Sequence, residues 1–324
     1  MRNLFLKLIS IKFFKILILS VLCILIWTCK KENQDLNPGY KQYIKVLGII
    51  QDGGFPHIDN PEEWSALEKG KVRRERVVSL GLVDLQHNQK WLFEATPDMP
   101  EQLFDLKTDI NNDNTIIDGV FLTHAHIGHY TGLMHFGREA MGADKIPVYA
   151  MPRMTRYLKE NGPWSQLVSL DNIELKTLIK DSTVHLNKNL KVIPFLVPHR
   201  DEFSETVGYK ILGPNKSALF IPDINKWELW DRSIVDEVRK VDYAFLDATF
   251  FKEGEIPRPM SEVPHPFIVE TVALFENESK DIRSKIIFVH FNHSNPAILE
   301  HHKLKDSIGE LGFRFARQGD IFNL

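Results

Sequence analysis

The feature that most constrains this chain is Thr123-His124-Ala125-His126-Ile127-Gly128-His129, which begins where the apolar run Val120-Phe121-Leu122 ends. Thirteen of the 324 residues are histidine. A chance His-x-His-x-x-His anywhere in such a chain has an expectation of only roughly 0.02, so the spacing carries information. Extended backbone sends His124 and His126 to the same side, because side chains repeat every two residues. His129, one turn into a following helix, then reaches the same space from another direction. Three neutral imidazoles converging in this way suit Zn²⁺, with Fe or Mn as alternatives. The fold must hold a strand end, a turn and a helix start around one point.

Other polar residues follow the same rule of standing just past an apolar strand. His199 follows Lys191–Val197 and Pro198, Asp223 follows Leu219-Phe220-Ile221-Pro222, Asp247 follows Tyr243–Leu246, and His290 follows Ile286–Val289. Each alone reads as a cap or turn residue. Together they predict one rim on which the strands fix the positions of ligating groups. Strand-like runs are expected at Ile44–Ile50, Val77–Leu85, Trp91–Ala95, Val120–Thr123, Lys191–Val197, Ala218–Ile221, Tyr243–Leu246 and Lys285–Val289. Helical patterns are expected at Met99–Leu106, His129–Ala140, Trp227–Lys240 and Pro266–Glu276. Hairpin-like strands followed by alternating strands and helices predict an α/β domain whose sheets are covered by helices on their outer faces. No linker, repeat or low-complexity tract interrupts residues 43–324, so they are expected to form one domain.

The N-terminus has a different character. Arg2, Lys7, Lys12 and Lys15 precede an apolar run, Ile16–Trp27, that is shorter than the roughly 20 residues needed to span a bilayer. It has the length of the apolar core of an export signal. The run stops at Thr28-Cys29 and is followed by Lys30-Lys31-Glu32. This predicts a lipoprotein signal peptide over residues 1–28, a lipidated Cys29 as membrane anchor, and a tether over residues 29–42. The protein is then expected outside the cytoplasm, in the periplasm or at the outer membrane. Both cysteines, Cys23 and Cys29, lie in this region, so thiolate metal sites and disulfides are excluded from the folded body. Without residues 1–28 the chain carries 36 basic and 43 acidic residues, a net charge of −7. That sign disfavours nucleic acid, whose binding rests on many cationic contacts to phosphate, and leaves a small-molecule substrate as the expected partner.

The order of these residues resembles the metallo-β-lactamase superfamily, and most closely its coenzyme PQQ synthesis protein B-like members. Ribonuclease Z and the cyclic-phosphate phosphodiesterases are similar cousins. The resemblance runs from about Tyr43 to the C-terminus. It is carried by Gly53-Gly54-Phe55-Pro56, Ala95-Thr96-Pro97-Asp98, Leu122–Leu133, Asp247-Ala248-Thr249-Phe250 and Phe288–Pro296. It implies an αββα sandwich with the metal site between the sheets. It also implies His124, His126 and His199 as ligands of one metal, Asp223 as the bridging carboxylate, and His129 and His290 as ligands of a second. His265, in Val263-Pro264-His265-Pro266, stands where a histidine of ribonuclease Z-like relatives donates a proton to the leaving group, with Asp247 as its orienting partner. Asp223, Asp247 and His265 are therefore the implied catalytic residues.

One position departs from the superfamily pattern His-x-His-x-Asp-His: its aspartate is Gly128 here. One zinc or two are both open on this reading, since ligand number governs metal occupancy. Asp201, Glu202, His57 and His293 are candidates to replace the missing carboxylate, and a Gly128→Asp change is expected to restore it. Three functions follow as expectations. The first is a hydrolase in which a metal lowers the pKa of bound water, for attack on an ester-like, lactone, amide or phosphodiester centre. The second is iron-dependent oxidative chemistry in cofactor biosynthesis, as in PQQ synthesis protein B-like relatives. The cysteine-rich metal site of those relatives has no counterpart in this body. The third is a non-catalytic metal-binding lipoprotein. The basic run Lys69–Arg76 is expected to be a solvated face, and His135, His301 and His302 to be surface or packing residues.

Overall fold

The computed structural model describes residues 39–109, 116–257, 259, 262–300 and 302–324. The expected signal peptide, Cys29 and all but the end of the tether lie outside the described residues, as does His301. No helix among the described residues is long and apolar enough to cross a membrane.

Among the described residues fourteen strands make two seven-stranded sheets. The first has the order β14-β1-β2-β3-β4-β5-β6, built from β1 (Gln42–Gly48), β2 (Ser79–Asp84), β3 (Gln89–Phe93), β4 (Gly119–Phe121), β5 (Ile146–Ala150), β6 (Ile173–Thr177) and β14 (Ile321–Asn323). The second has the order β13-β12-β11-β10-β9-β8-β7. It is built from β7 (Val184–His185), β8 (Lys191–Leu196), β9 (Val207–Leu212), β10 (Ser217–Ile221), β11 (Tyr243–Asp247), β12 (Ile286–Val289) and β13 (Arg314–Phe315). Each sheet is antiparallel in one half and parallel in the other. In the first, β14, β1, β2 and β3 pair antiparallel, then β3 to β6 pair parallel. In the second, β7 to β10 pair antiparallel, then β10 to β13 pair parallel.

Parallel strands need covered faces, which is why β4, β11 and β12 read as unbroken apolar runs. The inner faces meet in a core that joins Ile44, Leu82, Phe93 and Phe121 of one sheet to Val192, Tyr209, Phe220 and Phe245 of the other. Tyr209 stands edge-on to Phe93 and Phe121, with centroids 5.4 and 5.5 Å apart, and its hydroxyl donates to the Leu122 carbonyl. The outer face of the first sheet is covered by α2 (Met99–Asp109), α4 (Pro152–Glu160) and α5 (Trp164–Ser169), which bury Met99, Leu106, Met154, Leu158 and Trp164 against Leu92, Val120 and Val148. On the second sheet α6 (Ile234–Arg239), α7 (Ile268–Leu274) and α9 (Lys303–Glu310) contribute Ile234, Val238, Ile268 and Ile308. Two further helices are α1 (Pro61–Glu68) and the four-residue α8 (Lys280–Arg283), and the fold is the expected αββα sandwich. The compact unit runs from Tyr40 to Leu324.

Two expected helices are broken up. The run His129–Ala140 becomes a four-residue helix α3 (Ile127–Tyr130) and a 3₁₀ turn over Thr131–Phe136. A Cβ at Gly132 would lie 2.9 Å from the Ala95 carbonyl carbon, so the chain turns tightly against the segment after β3 there. Trp227–Lys240 splits into a 3₁₀ turn at Trp227–Leu229 and α6. The basic run is largely exposed, as expected of a solvated face, and its arginines are paired there: Arg74 reaches Asp98 at 2.7 Å, Arg76 reaches Asp105 at 2.7 Å, and Arg73 bonds Glu75.

Candidate metal centre

The strands deliver their C-terminal ends to one rim. β4 leads into His124, His126 and the start of α3, β8 leads to His199, and β10 leads to Asp223. Asp247 closes β11, and β12 leads to His290. The first of these segments is tied across to the second sheet, since Val207 N–H donates to the Thr123 carbonyl at 3.2 Å and Ala125 N–H to Ser204 Oγ at 2.9 Å. His124, His129, His199, Asp223, Asp247, His265 and His290 are all buried.

Five imidazoles share one arrangement: one ring nitrogen faces a polar atom behind it, hydrogen-bonded in all but His129, and the other is aimed inward. His124 Nδ1 meets Thr123 Oγ1 at 2.9 Å, and its Nε2 lies 3.2 Å from Asp223 Oδ2. His126 Nε2 meets Glu202 Oε2 at 3.1 Å, and its Nδ1 faces His124 Nε2 at 2.8 Å. His129 Nδ1 faces Glu94 Oε1 at 3.4 Å, while its Nε2 lies 3.1 Å from Asp52 Oδ1 and 3.7 Å from Asp223 Oδ2. His199 Nδ1 meets Asn225 Oδ1 at 3.2 Å, and its Nε2 lies 3.2 Å from Asp223 Oδ1. His290 Nδ1 meets Thr249 Oγ1 at 2.8 Å, and its Nε2 lies 4.0 Å from Asp223 Oδ2. A partner behind the ring is what fixes a metal-ligating histidine in the right tautomer.

Apart from the His124–His126 pair, most of the inward atoms lack a hydrogen-bonding partner. Asp52 Oδ1, His129 Nε2, His199 Nε2, Asp223 Oδ1 and His290 Nε2 are all buried without a hydrogen-bond partner. Buried polar atoms left in this state are costly unless something between them binds them. The electrostatics point the same way. Burial raises the pKa of Asp223, yet the charges of His199, His265 and His290 overcome it and hold the carboxyl well below its usual range. Burial likewise opposes ionisation of Asp52, and His129 and His290 overcome it. Burial and the charge of His129 keep His124 neutral, its pKa well below the usual value. Nitrogen and carboxylate donors in this mixture suit a divalent cation such as zinc, and the residues present fit it. Their donor atoms lie within 4.8 Å of one another in a first set, His124, His126, His199 and Asp223, and a second, Asp52, His129 and His290; a third, Asp223, Asp247, His265 and His290, overlaps both.

Asp52 is the residue that sequence reasoning missed. It stands on the loop after β1, in Gln51-Asp52-Gly53-Gly54, which reads as a turn. The expected substitutes for the absent carboxylate lie elsewhere. Asp201 accepts from Thr206 Oγ1 at 2.8 Å, and Glu202 backs His126. His57 stacks on His293 at 4.2 Å, and His293 Nδ1 faces Glu63 at 2.8 Å. The expected rescue by Gly128→Asp is also overturned, because a Cβ at Gly128 would lie 2.6 Å from Asp52 Cγ and 2.7 Å from its Cα. Glu94 was missed too, although it follows Trp91-Leu92-Phe93 by the same strand-end rule as the other residues. Glu94 (φ 75°) and His290 (φ 64°) both hold left-handed backbone, each a cost of about 1–3 kcal/mol that the surrounding core must offset.

His265 differs from the five. Its Nδ1 lies 2.8 Å from Asp247 Oδ2, 3.2 Å from Asp223 Oδ1 and 3.2 Å from Thr249 Oγ1. Asp247 is itself held by Thr249 Oγ1 at 2.7 Å, by Thr249 N–H at 2.9 Å and by Ile224 N–H at 3.1 Å. Burial disfavours the charged ring of His265, but Asp247 and Asp223 outweigh it and push its pKa up to about 8. The ring lines a cavity of about 260 Å³ together with Arg200, Phe250, Asn292 and His293.

A profile of the β-lactamase superfamily domain matches residues 90–291, more than half of the chain. The chain belongs to that superfamily. Coenzyme PQQ synthesis protein B of Gluconobacter oxydans is 22% identical over 307 residues, covering 86% of this chain and 97% of that protein. The fold is similar to the crystal structure of Zn²⁺-bound PqqB from Methylobacterium extorquens, with a TM-score of 0.71 and 19% identity, over 87% of this chain and all of that one. It is also similar to a diphosphatase of the PhnP family, with a TM-score of 0.58 and 22% identity, over 87% of this chain and 96% of that one.

Proposed function

We propose that this superfamily member is a metal-dependent hydrolase of a small anionic ester, with a phosphodiester as the preferred class. The observation that carries the reading is the placement of Asp223, whose Oδ1 faces His199 and His265 while its Oδ2 faces His124 and His129. His124, His126, His199 and Asp223 would hold one metal; His129 and His290 group with Asp52 in the second donor set, with Asp223 Oδ2 3.7 and 4.0 Å from their Nε2 atoms. When bound, such a metal supplies Lewis acidity and a nucleophile at neutral pH. His265 stands beside the donor sets with Nδ1 bonded to Asp247, which orients the ring and favours its protonated form. It is then equipped to give a proton to a departing oxygen, a contribution of about 10²–10⁴ in rate. Arg200 lines the same cavity and offers a cation to an anionic substrate. Zinc is the first choice of metal, with iron or manganese as alternatives.

A second reading rests on the full-length similarity to PQQ synthesis protein B: iron-dependent oxidative chemistry on a cofactor precursor. One set of measurements separates the two. Metal-loaded protein is assayed on bis(4-nitrophenyl) phosphate and on a simple lactone, before and after chelation, with His265→Ala beside it. Chelator-sensitive hydrolysis that falls in His265→Ala at unchanged metal content supports the hydrolase. Loaded protein inert toward both substrates, or hydrolysis indifferent to His265→Ala, overturns it.

The proposal includes a place in the cell. The basic and apolar pattern of residues 1–28 and the position of Cys29 support a lipid-anchored protein outside the cytoplasm. Wild-type protein should incorporate labelled fatty acid and sediment with membranes, and Cys29→Ala should do neither.

A further inference from the structure

We infer that Asp52 is the anionic ligand of the second metal, transferred to the loop after β1 from the position that Gly128 occupies, and that the two residues form a single steric exchange. The loop is brought there by backbone pairing between the sheets. Ile50 bridges to Phe291, the residue after His290; Phe291 N–H donates to Ile49 and Gln51 N–H donates to Phe291, both at 2.9 Å. Asn292 Nδ2 adds a bond to Gln51 Oε1 at 2.6 Å. These bonds fix the loop against the two residues that follow His290, so the next residue of the loop, Asp52, faces the ring. Its Oδ1 is buried without a hydrogen-bond donor, 3.1 Å from His129 Nε2 and 3.9 Å from His290 Nε2.

The space Asp52 uses exists only because residue 128 lacks a side chain. The Cβ of any other residue there would meet both the carboxylate carbon and the Cα of Asp52 within 2.7 Å. Backbone atoms cannot yield as a flexible side chain can, so the glycine and the loop position require each other. With Asp52 counted, the second set becomes His129, His290, Asp52 and the shared Asp223, four protein donors against four in the first. The absence of the superfamily aspartate therefore does not leave a weaker site.

The inference rests on the cluster being a metal centre, not on hydrolysis, and it is tested by binding alone. Zn²⁺ is titrated into apo full-length protein against a chromophoric chelator, with wild type, Asp52→Asn and Gly128→Ala compared. Wild type should take up two equivalents. Asp52→Asn keeps the shape of the side chain and should retain the first equivalent while the second weakens by about 100-fold or more, since loss of a mere partner behind a ligand already costs about 10–100-fold. Gly128→Ala leaves every donor in place and should weaken the second equivalent alone by displacing the loop. Two equivalents held with wild-type affinity by Asp52→Asn would overturn the ligand assignment. The same result in Gly128→Ala would overturn the exchange. Should Asp52→Asn fail to fold, Gly128→Ala decides by itself. Wild-type protein that binds no zinc would instead refute the metal centre on which the proposed function stands, so the two failures are distinct.

Discussion

Thr249→Val isolates the part of the site that arranges ligands without being one. The Thr249 hydroxyl has one proton, and at 2.7 Å from Asp247 Oδ1 it donates there, since a carboxylate only accepts. The hydroxyl oxygen is then free to accept from His290 Nδ1 at 2.8 Å, which leaves Nε2 bare and facing the donor cluster. Valine keeps the shape and removes both bonds, together with the longer 3.2 Å contact to His265 Nδ1, which still has Asp247. Asp247 retains the Thr249 and Ile224 N–H donors and His265. His290 Nδ1 retains nothing within range, because Asp247 Oδ1 lies 3.9 Å away and a hydrogen bond needs about 3.2 Å or less. One buried donor is therefore orphaned and one bond to a carboxylate is lost, a combined cost of about 3 kcal/mol. For a domain of this size each kcal/mol moves Tm by about 2 °C, so apo protein should melt about 6 °C lower. The ring is also free to move its proton to Nε2, which should weaken the second zinc equivalent about 10–100-fold and leave the first unchanged. Thermal unfolding of apo protein and competitive zinc titration read the two effects separately. An apo Tm within about 1 °C of wild type, together with an unchanged second equivalent, would refute the tautomer argument.

His126→Ala should remove the first zinc equivalent, and with it the metal-dependent rise in Tm, because a metal bound only by the folded state stabilises it by mass action; unchanged stoichiometry would count against the ligand set. Tyr209→Phe strips the donor from the buried Leu122 carbonyl that leads into His124, and urea unfolding should show a loss of about 1–3 kcal/mol. Asp84→Asn tests a clamp outside the site, in which Gln42 Nε2 at 2.8 Å, Gln86 N–H at 2.9 Å, His87 Nδ1 at 2.6 Å and Asn187 Nδ2 at 3.0 Å converge on one buried carboxylate. Burial pushes that carboxyl up, but the bonds from Gln42, His87 and Gln86 outweigh it and hold its pKa below the usual value. A group depressed in the folded state stabilises above its unfolded pKa of about 4 and loses that contribution as pH falls through the folded value. Wild type should therefore lose stability below about pH 4 more steeply than Asp84→Asn, and parallel acid limbs in the two proteins would contradict the clamp.

What the sequence makes legible follows from how deeply each element is buried. Strands β1, β2, β4 and β12 are buried along their whole length and β11 at all but its first residue, so each shows as a largely apolar run. The edge strand β6, Ile-Glu-Leu-Lys-Thr, alternates polar residues toward solvent and does not stand out. β9 is interior but contains Gly208, where any Cβ would press within 2.6 Å of the Phe195 ring, and the glycine disguises the strand. The histidines were legible because their spacing is local and their strands are strong. Asp52 was not, since nothing in Gln51-Asp52-Gly53-Gly54 distinguishes a ligating carboxylate from a turn. Its meaning depends on a bridge between Ile50 and Phe291, far apart in sequence.

The same bridge explains how the centre tolerates an altered ligand pattern. Every donor except Asp52 stands at or just after the end of a strand, or on α3 directly after β4, and the register of those strands is set by their sheet neighbours. Asp52 lacks such a strand and is held by a few bonds to the segment carrying His290. A carboxylate supplied in this way keeps the donor count while its position becomes dependent on the loop 51–57. That loop also carries His57, stacked on His293 beside the cavity of His265. In a superfamily site with aspartate at position 128, that carboxylate would come from the α3 start beside His129 instead of from the loop after β1. Here metal binding and the order of one cavity wall draw on the same backbone bonds, and a change that loosens Gln51 or Asn292 should weaken the second equivalent without touching any ligand.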